Sequence, residues 1–286
     1  MIARQKPAIR PALCWYGGKY FLKDKLIDLM PQHKVYVEPF AGGATILLNK
    51  LPCSPDVLSD ANEHLIAFYQ LLQTDPEYVI DYIKSVDHCG EAFDFAQQKI
   101  AESGPITKEQ ATCFLITTRL SWGGAGTHFA WANQFTKDGL PTKQVKWDNV
   151  KKKTLPRVIE RLQGVRVLCD DAVNVIQDCD SEETLFYCDP PYLHHTRQTS
   201  SRAMYVYEMS DNRHRLLAQT LRGCKGFVIV SGYPSSLYTK WYKGWTTLSW
   251  NMVNRASTRN VPGFGTIKRR ETIWCNFNIH SGKKLT

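Results

Sequence analysis

Apolar and polar positions along the chain alternate between two periods. Lys34–Phe40 (KVYVEPF) is a short β-rich run that opens into the small residues Ala41-Gly42-Gly43-Ala44. Thr45–Leu51 places Ile46, Leu47 and Leu48 in the first turns of a helix. Pro52 and Pro55 punctuate the chain before a second strand, Asp56–Asp60, and Asn62–Leu72 has Leu65, Ile66, Tyr69 and Leu72 at helical spacing. Strand, glycine turn, helix, strand and acid in that order is the plan of a nucleotide-binding α/β half-domain. The pattern then changes. Asp75–Arg119 reads as about three helices with few β signals, and Leu120–Arg157 reads as irregular. Alternation resumes at Val165–Asp171, Thr184–Asp189 and Gly226–Ser231, and Thr246–Trp250 with Glu271–Phe277 forms a closing strand pair. The expected organisation is an α/β catalytic domain, residues 1–73 and 160–286, interrupted by a mostly helical insertion at 74–159.

Composition narrows this picture. The chain has 286 residues, 43% of them hydrophobic, which is enough for a large core and wrong for a disordered chain. No apolar run reaches the roughly 18 residues that a membrane helix needs, and the N-terminus leads into no secretory signal. A cytoplasmic protein with no membrane association is expected. The nine cysteines are odd in number and contain no C-x-x-C pair, so reduced core thiols are expected rather than disulfides or zinc. Thirty-six Lys and Arg against 27 Asp and Glu leave a net charge of +9, which favours an anionic partner.

The sharpest chemistry lies in Asp189-Pro190-Pro191-Tyr192, directly after a strand, where open α/β sheets bind ligands. Two prolines cannot extend the sheet, and the second holds the first extended. The Asp189 carboxylate and the Pro190 carbonyl then project as two acceptors with no amide donor between them. Two acceptors beside an aromatic ring suit a planar molecule bearing an NH₂ group; a rigid turn with a core tyrosine is the alternative. Asp60 lies 60 − 42 = 18 residues beyond Gly42, close to the roughly 20 expected of an acid that binds ribose hydroxyls. Lys19 offers a cation for a carboxylate, unless it is a solvated loop lysine, and Trp15 could equally be a core aromatic. His194-His195 lacks a third ligand at suitable spacing, so no metal is expected.

Between Lys137 and Arg157 stand Lys143, Lys146, Lys151, Lys152 and Lys153, with Trp122, Phe129, Trp131, Phe135 and Trp147 in or near the stretch. Basic groups for phosphates with aromatics for bases is a nucleic-acid pattern; a solvated lysine face over satellite core aromatics is the other reading. Arg255 and Arg259 begin a second basic stretch.

Taken together, these motifs resemble the Dam-like (alpha-group) family of DNA adenine methyltransferases, especially its phage and prophage members. Asp189–Tyr192 looks like the catalytic motif of amino-group methyltransferases. Trp15-Tyr16-Gly17-Gly18-Lys19 matches the family's W-x-G-G-K. Glu38-Pro39-Phe40-Ala41-Gly42-Gly43-Ala44 matches its E-P-F-x-G-x-G, with the second glycine shifted by one and an alanine after it. The acidic residue of the second strand is Asp60, and that of the third is Asp171, with Asp170 as a rival. Tyr207-Glu208-Met209, Ser231-Gly232-Tyr233 and Arg270-Glu271 resemble later parts of the family.

The resemblance implies a Rossmann-like S-adenosylmethionine-dependent fold with an inserted target-recognition domain. It implies Asp189, Pro190 and Tyr192 as catalytic residues. S-adenosyl-L-methionine would be held by Trp15, Lys19, Phe40, Gly42, Gly43, Asp60, Asp171 and Asp189. Double-stranded DNA, with the target adenine flipped out, would meet Arg119, Ser121, Trp122 and the two basic stretches. No obligate protein partner is evident, and DNA modification against restriction is the implied role. An RNA adenine methyltransferase shares the pocket chemistry, and a DNA-binding protein that has lost catalysis shares the fold; the motif order favours DNA, and the intact Asp189–Tyr192 favours an enzyme.

Overall fold

A computed structural model describes residues 8–131, 133–196, 208–253 and 268–285. In chain order its elements begin with α1 (Lys23–Asp28), β1 (Val35–Glu38), α2 (Thr45–Asn49), β2 (Asp56–Asp60) and α3 (Glu63–Thr74). There follow α4 (Pro76–Lys84), α5 (Gly90–Ile100), α6 (Lys108–Leu120), α7 (Thr142–Asn149), α8 (Leu155–Leu162) and β3 (Arg166–Cys169). The remainder is α9 (Ala172–Cys179), β4 (Thr184–Cys188), α10 (Asp211–Gly223), β5 (Phe227–Gly232), α11 (Ser236–Trp241), β6 (Thr246–Val253) and β7 (Lys268–Cys275).

The chain divides into two compact units, one of residues 1–27, 41–52 and 62–169, the other of 28–40, 53–61 and 170–286. The expected insertion, 74–159, falls wholly within the first. That unit is mainly helical, and its helix starts are written in the sequence. Asn62 accepts the Leu65 N–H at 3.1 Å and starts α3, which buries Leu65, Ile66, Phe68, Tyr69, Leu71 and Leu72. Asp75 caps α4 with Pro76 behind it, and Thr107 with Gln110 forms a reciprocal capping box on α6.

One stretch departs from the irregular structure expected between 120 and 157. Thr142 to Leu162 is helical throughout, with a π-turn at Val150–Thr154. The buried residues Trp147, Val150, Leu155, Val158 and Leu162 explain it. Their spacings are helical except for the five residues from 150 to 155. An i→i+5 bond from the Leu155 N–H to the Val150 carbonyl absorbs the extra residue and keeps the stripe on one side.

Among the described residues of the second unit, six strands run in the order β2-β1-β4-β5-β7-β6. β1 is parallel to β2 and β4, and β4 is parallel to β5; β7 is antiparallel to both β5 and β6. The central strand β4 is buried at every residue, as a parallel strand covered on both faces should be. Its C-terminal end delivers Asp189.

Candidate active site

At that end Asp189 is half-buried, Pro190 is buried, and the Tyr192 side chain is only 6% exposed. The Tyr192 hydroxyl donates to the Glu271 carboxylate, and its ring meets the Tyr233 ring edge-on with centroids 4.4 Å apart. Burial first, then the charges of Asp189 and Glu271, push the phenol well above its ordinary range, so it remains protonated. Beneath this lies a second buried pair, Tyr187 with Ser231 at 3.0 Å. Glu271 is the residue that motif reading did not assign to the site. Its neighbours in sequence, Arg270 and Thr272, give no sign that the carboxylate is buried.

Asp60 ends β2 and is half-buried. Asp171 caps α9 by accepting the Val173 N–H at 2.9 Å, and its other oxygen faces the Arg213 guanidinium. Asp170, its rival, accepts from the Asp171 N–H and from Asn174. Phe40 is half-buried beyond β1, whose last residue, Glu38, accepts the Tyr36 hydroxyl at 2.6 Å. His194 pairs with Glu208 at 3.5 Å, and buried His214 packs against Tyr238, whose hydroxyl lies 3.1 Å from its Nδ1.

In the first unit the glycine turn is built around Trp15. Gly42 has φ 43°, and a Cβ there would lie 2.6 Å from the indole Nε1. Gly43 packs on the Trp15 Cβ, and the Tyr69 hydroxyl donates to the Gly42 carbonyl at 2.8 Å. Ala44 stands where the family pattern has its second glycine, and it adopts φ 50°, ψ 31°. The departure in sequence therefore leaves the turn's left-handed geometry in place, with an alanine in a conformation that glycine accepts more readily. Lys19 is buried, with its Nζ donating to the Gly17 carbonyl at 2.9 Å.

The residues expected at DNA separate into two groups. Arg119, at the end of α6, donates to the carbonyls of Pro11 and Ala12, and desolvation lowers its pKa to about 10. Ser121 is buried and closes the following loop, accepting the Gly126 N–H and donating to the Thr118 carbonyl. Lys151 lies along Trp147, 5.4 Å from the ring centroid, and pairs with Asp148. These three side chains organise the unit itself.

The other group faces outward. Trp122 is 45% exposed with the Lys143 ammonium 5.8 Å from its ring, and Trp131 is 73% exposed. Phe135 and Leu140 are exposed too, as are Lys146, Lys152 and Lys153. Two short antiparallel turns present the aromatics: Trp122 donates to His128 and Ala130 to Leu120, then Thr142 donates to Gln134 and Thr136 to Leu140. Gly124 presses this loop onto the Cys14 backbone, where a Cβ would sit 2.1 Å from the carbonyl oxygen. Arg255 and Arg259 lie outside the described residues.

Comparison with known proteins adds independent findings. A family model described as D12 class N6 adenine-specific DNA methyltransferase matches residues 15–256. A DNA adenine methylase of Vibrio cholerae is 25% identical over 263 residues, covering 89% of this chain and 92% of its own. That of Escherichia coli K12 is 23% identical over 242 residues, 82% of this chain and 84% of its own. A type II methyltransferase of Methanocaldococcus jannaschii is 23% identical over 264 residues, with 82% and 89% covered.

Proposed function

Since the chain belongs to the D12 class of N6 adenine-specific DNA methyltransferases, we propose that S-adenosyl-L-methionine is its methyl donor and a flipped adenine its target. The observation that carries this reading is the Asp189–Tyr192 turn at the end of a fully buried parallel strand. Asp189 and the Pro190 carbonyl accept the two N–H bonds of the adenine amino group. The nitrogen lone pair, otherwise delocalised into the ring, is thereby turned toward the methyl donor, and positioning with charge complementarity supplies most of the acceleration. Tyr192 packs on the base. Once methylated, the nitrogen is strongly acidic, and Asp189 or water takes its proton, so no base need be activated beforehand.

The donor set suits the cofactor. In this reading Asp60 would meet ribose hydroxyls and Asp171 or Asp170 the nucleoside base; Lys19 would meet a carboxylate, Phe40 and Trp15 would each give apolar contact, and Gly42 and Gly43 would let backbone approach. When bound, S-adenosylmethionine supplies an electrophilic methyl group on a sulfonium. A base inside a duplex cannot reach such a turn, so it leaves the stack at a cost of a few kcal/mol.

DNA is held, in this reading, by the stretch within 74–159. Lys146, Lys152 and Lys153 meet phosphates, and Trp122, Trp131 and Phe135 meet bases. Work on cellular or phage DNA places the protein in the cytoplasm; among the described residues no helix is long and apolar enough to cross a membrane.

The test is methyl transfer from labelled S-adenosylmethionine to unmethylated duplex DNA, with structured RNA as competitor and digestion to nucleosides. Label in N6-methyladenine from DNA is expected; label confined to RNA would overturn the reading. Reversing Lys152 and Lys153 to glutamate should weaken DNA binding and flatten its salt dependence, each lost phosphate contact removing about 0.9 from the slope of log K against log salt. An unchanged slope places the phosphate contacts on other residues.

A further inference from the structure

β7 carries Glu271, Ile273 and Cys275 on one face by simple alternation. Ile273 and Cys275 are fully buried, and Glu271 is only 7% exposed. A buried carboxylate next along the face to Ile273 costs stability unless it is well bonded. Its bond is to the Tyr192 hydroxyl, 79 residues earlier. The cross-strand pairing of Glu271 with Trp250, and of Thr272 with Gly232, fixes its backbone from both sides.

We propose that Glu271 is a positioning residue for methyl transfer, holding the Tyr192 hydroxyl so that the ring keeps one plane for the target adenine. The inference rests on the reading of Tyr192 as the residue that packs on the base. A phenol ring has two torsions. Tyr233 touches it edge-on from the side, and Glu271 holds the hydroxyl at its far end; losing that bond removes the restraint on the hydroxyl end of the ring. The base would still be bound, but its amino group would meet Asp189 at a less favourable angle, and small misplacements are costly in such reactions.

The experiment is single-turnover methylation of duplex DNA by the full chain, with DNA affinity and thermal midpoint measured in parallel. E271L should slow the methylation step by about tenfold or more while DNA affinity stays within about twofold. E271Q, whose amide oxygen still accepts the hydroxyl, should recover most of the rate. Y192F should match E271L, and the double variant Y192F/E271L should be no slower than either alone. Additive losses in the double variant would overturn the proposal, because Glu271 would then act apart from Tyr192. Y192A that is slow beside E271L at wild-type rate would overturn the positioning role alone. Y192A at wild-type rate would overturn both that role and the reading beneath it. Should E271L fail to fold, Y192F decides: a wild-type rate there removes the hydroxyl, and with it Glu271, from the reaction.

Discussion

Asp189→Ala should lower the methylation rate by a factor on the order of 10²–10³ or more, the range associated with removing one preorganised electrostatic partner from a transition state. The argument is one of scarcity. Pro190 and Pro191 contribute no N–H and one fixed path for the chain, so Asp189 provides the only carboxylate of the tetrapeptide. Its carboxylate both orients the amino group and stabilises the positive charge that grows there. Alanine removes both; asparagine keeps an oxygen acceptor but removes the charge and adds a donor, and should fall between. The side chain is half-buried at the end of the strand rather than inside it. Thermal stability and DNA affinity should therefore stay near wild type. Near-normal turnover by the alanine variant would defeat the mechanism.

Gly42→Ala should lose about 1–3 kcal/mol of stability, the usual cost of a residue forced into a sparsely populated backbone region. Gly42 has φ 43°, and the new methyl would lie 2.6 Å from Trp15 Nε1. Either the turn or the indole must move, and both belong to the proposed cofactor contacts. Cofactor affinity measured by calorimetry should fall with the thermal midpoint. The neighbouring Ala44→Gly makes an internal control of opposite sign. It relieves a left-handed alanine and should gain about 1 kcal/mol, less the entropy that glycine adds to the unfolded chain. A Gly42→Ala protein as stable as wild type, with unaltered cofactor affinity, would mean that the turn is looser than its geometry implies.

The strands, the glycine turn and the Asp189 tetrapeptide were legible in the sequence because each is a local property. A proline pair, a strand period or a glycine between strand and helix needs no distant partner to be recognised. What escaped depends on who sits opposite. Lys151 and Lys152 are adjacent and chemically identical, yet one lies along Trp147 and the other faces solvent. Only the phase of the π-turn decides between them, and its cue was a spacing of five between two apolar residues. Arg119 is set at DNA by the resemblance, and no motif says that its guanidinium also donates to the Pro11 and Ala12 carbonyls. Glu271 and Tyr192 each lie in a recognisable motif, but nothing within 79 residues of chain says that they touch.

The place of β7 has a consequence for how the molecule comes into being. It is the last in chain order of the strands described, yet it lies between β5 and β6 rather than at a margin. A ribosome releases β5 and β6 before the strand that joins them exists. Until β7 has emerged, β5 waits with an unpaired edge, and edges of that kind recruit other chains. A chain broken off before residue 268 is therefore missing a middle strand, a gap that no rearrangement of the end can close. The sheet is complete only once β7 lies between β5 and β6, and the carboxylate beside Tyr192 comes with that strand.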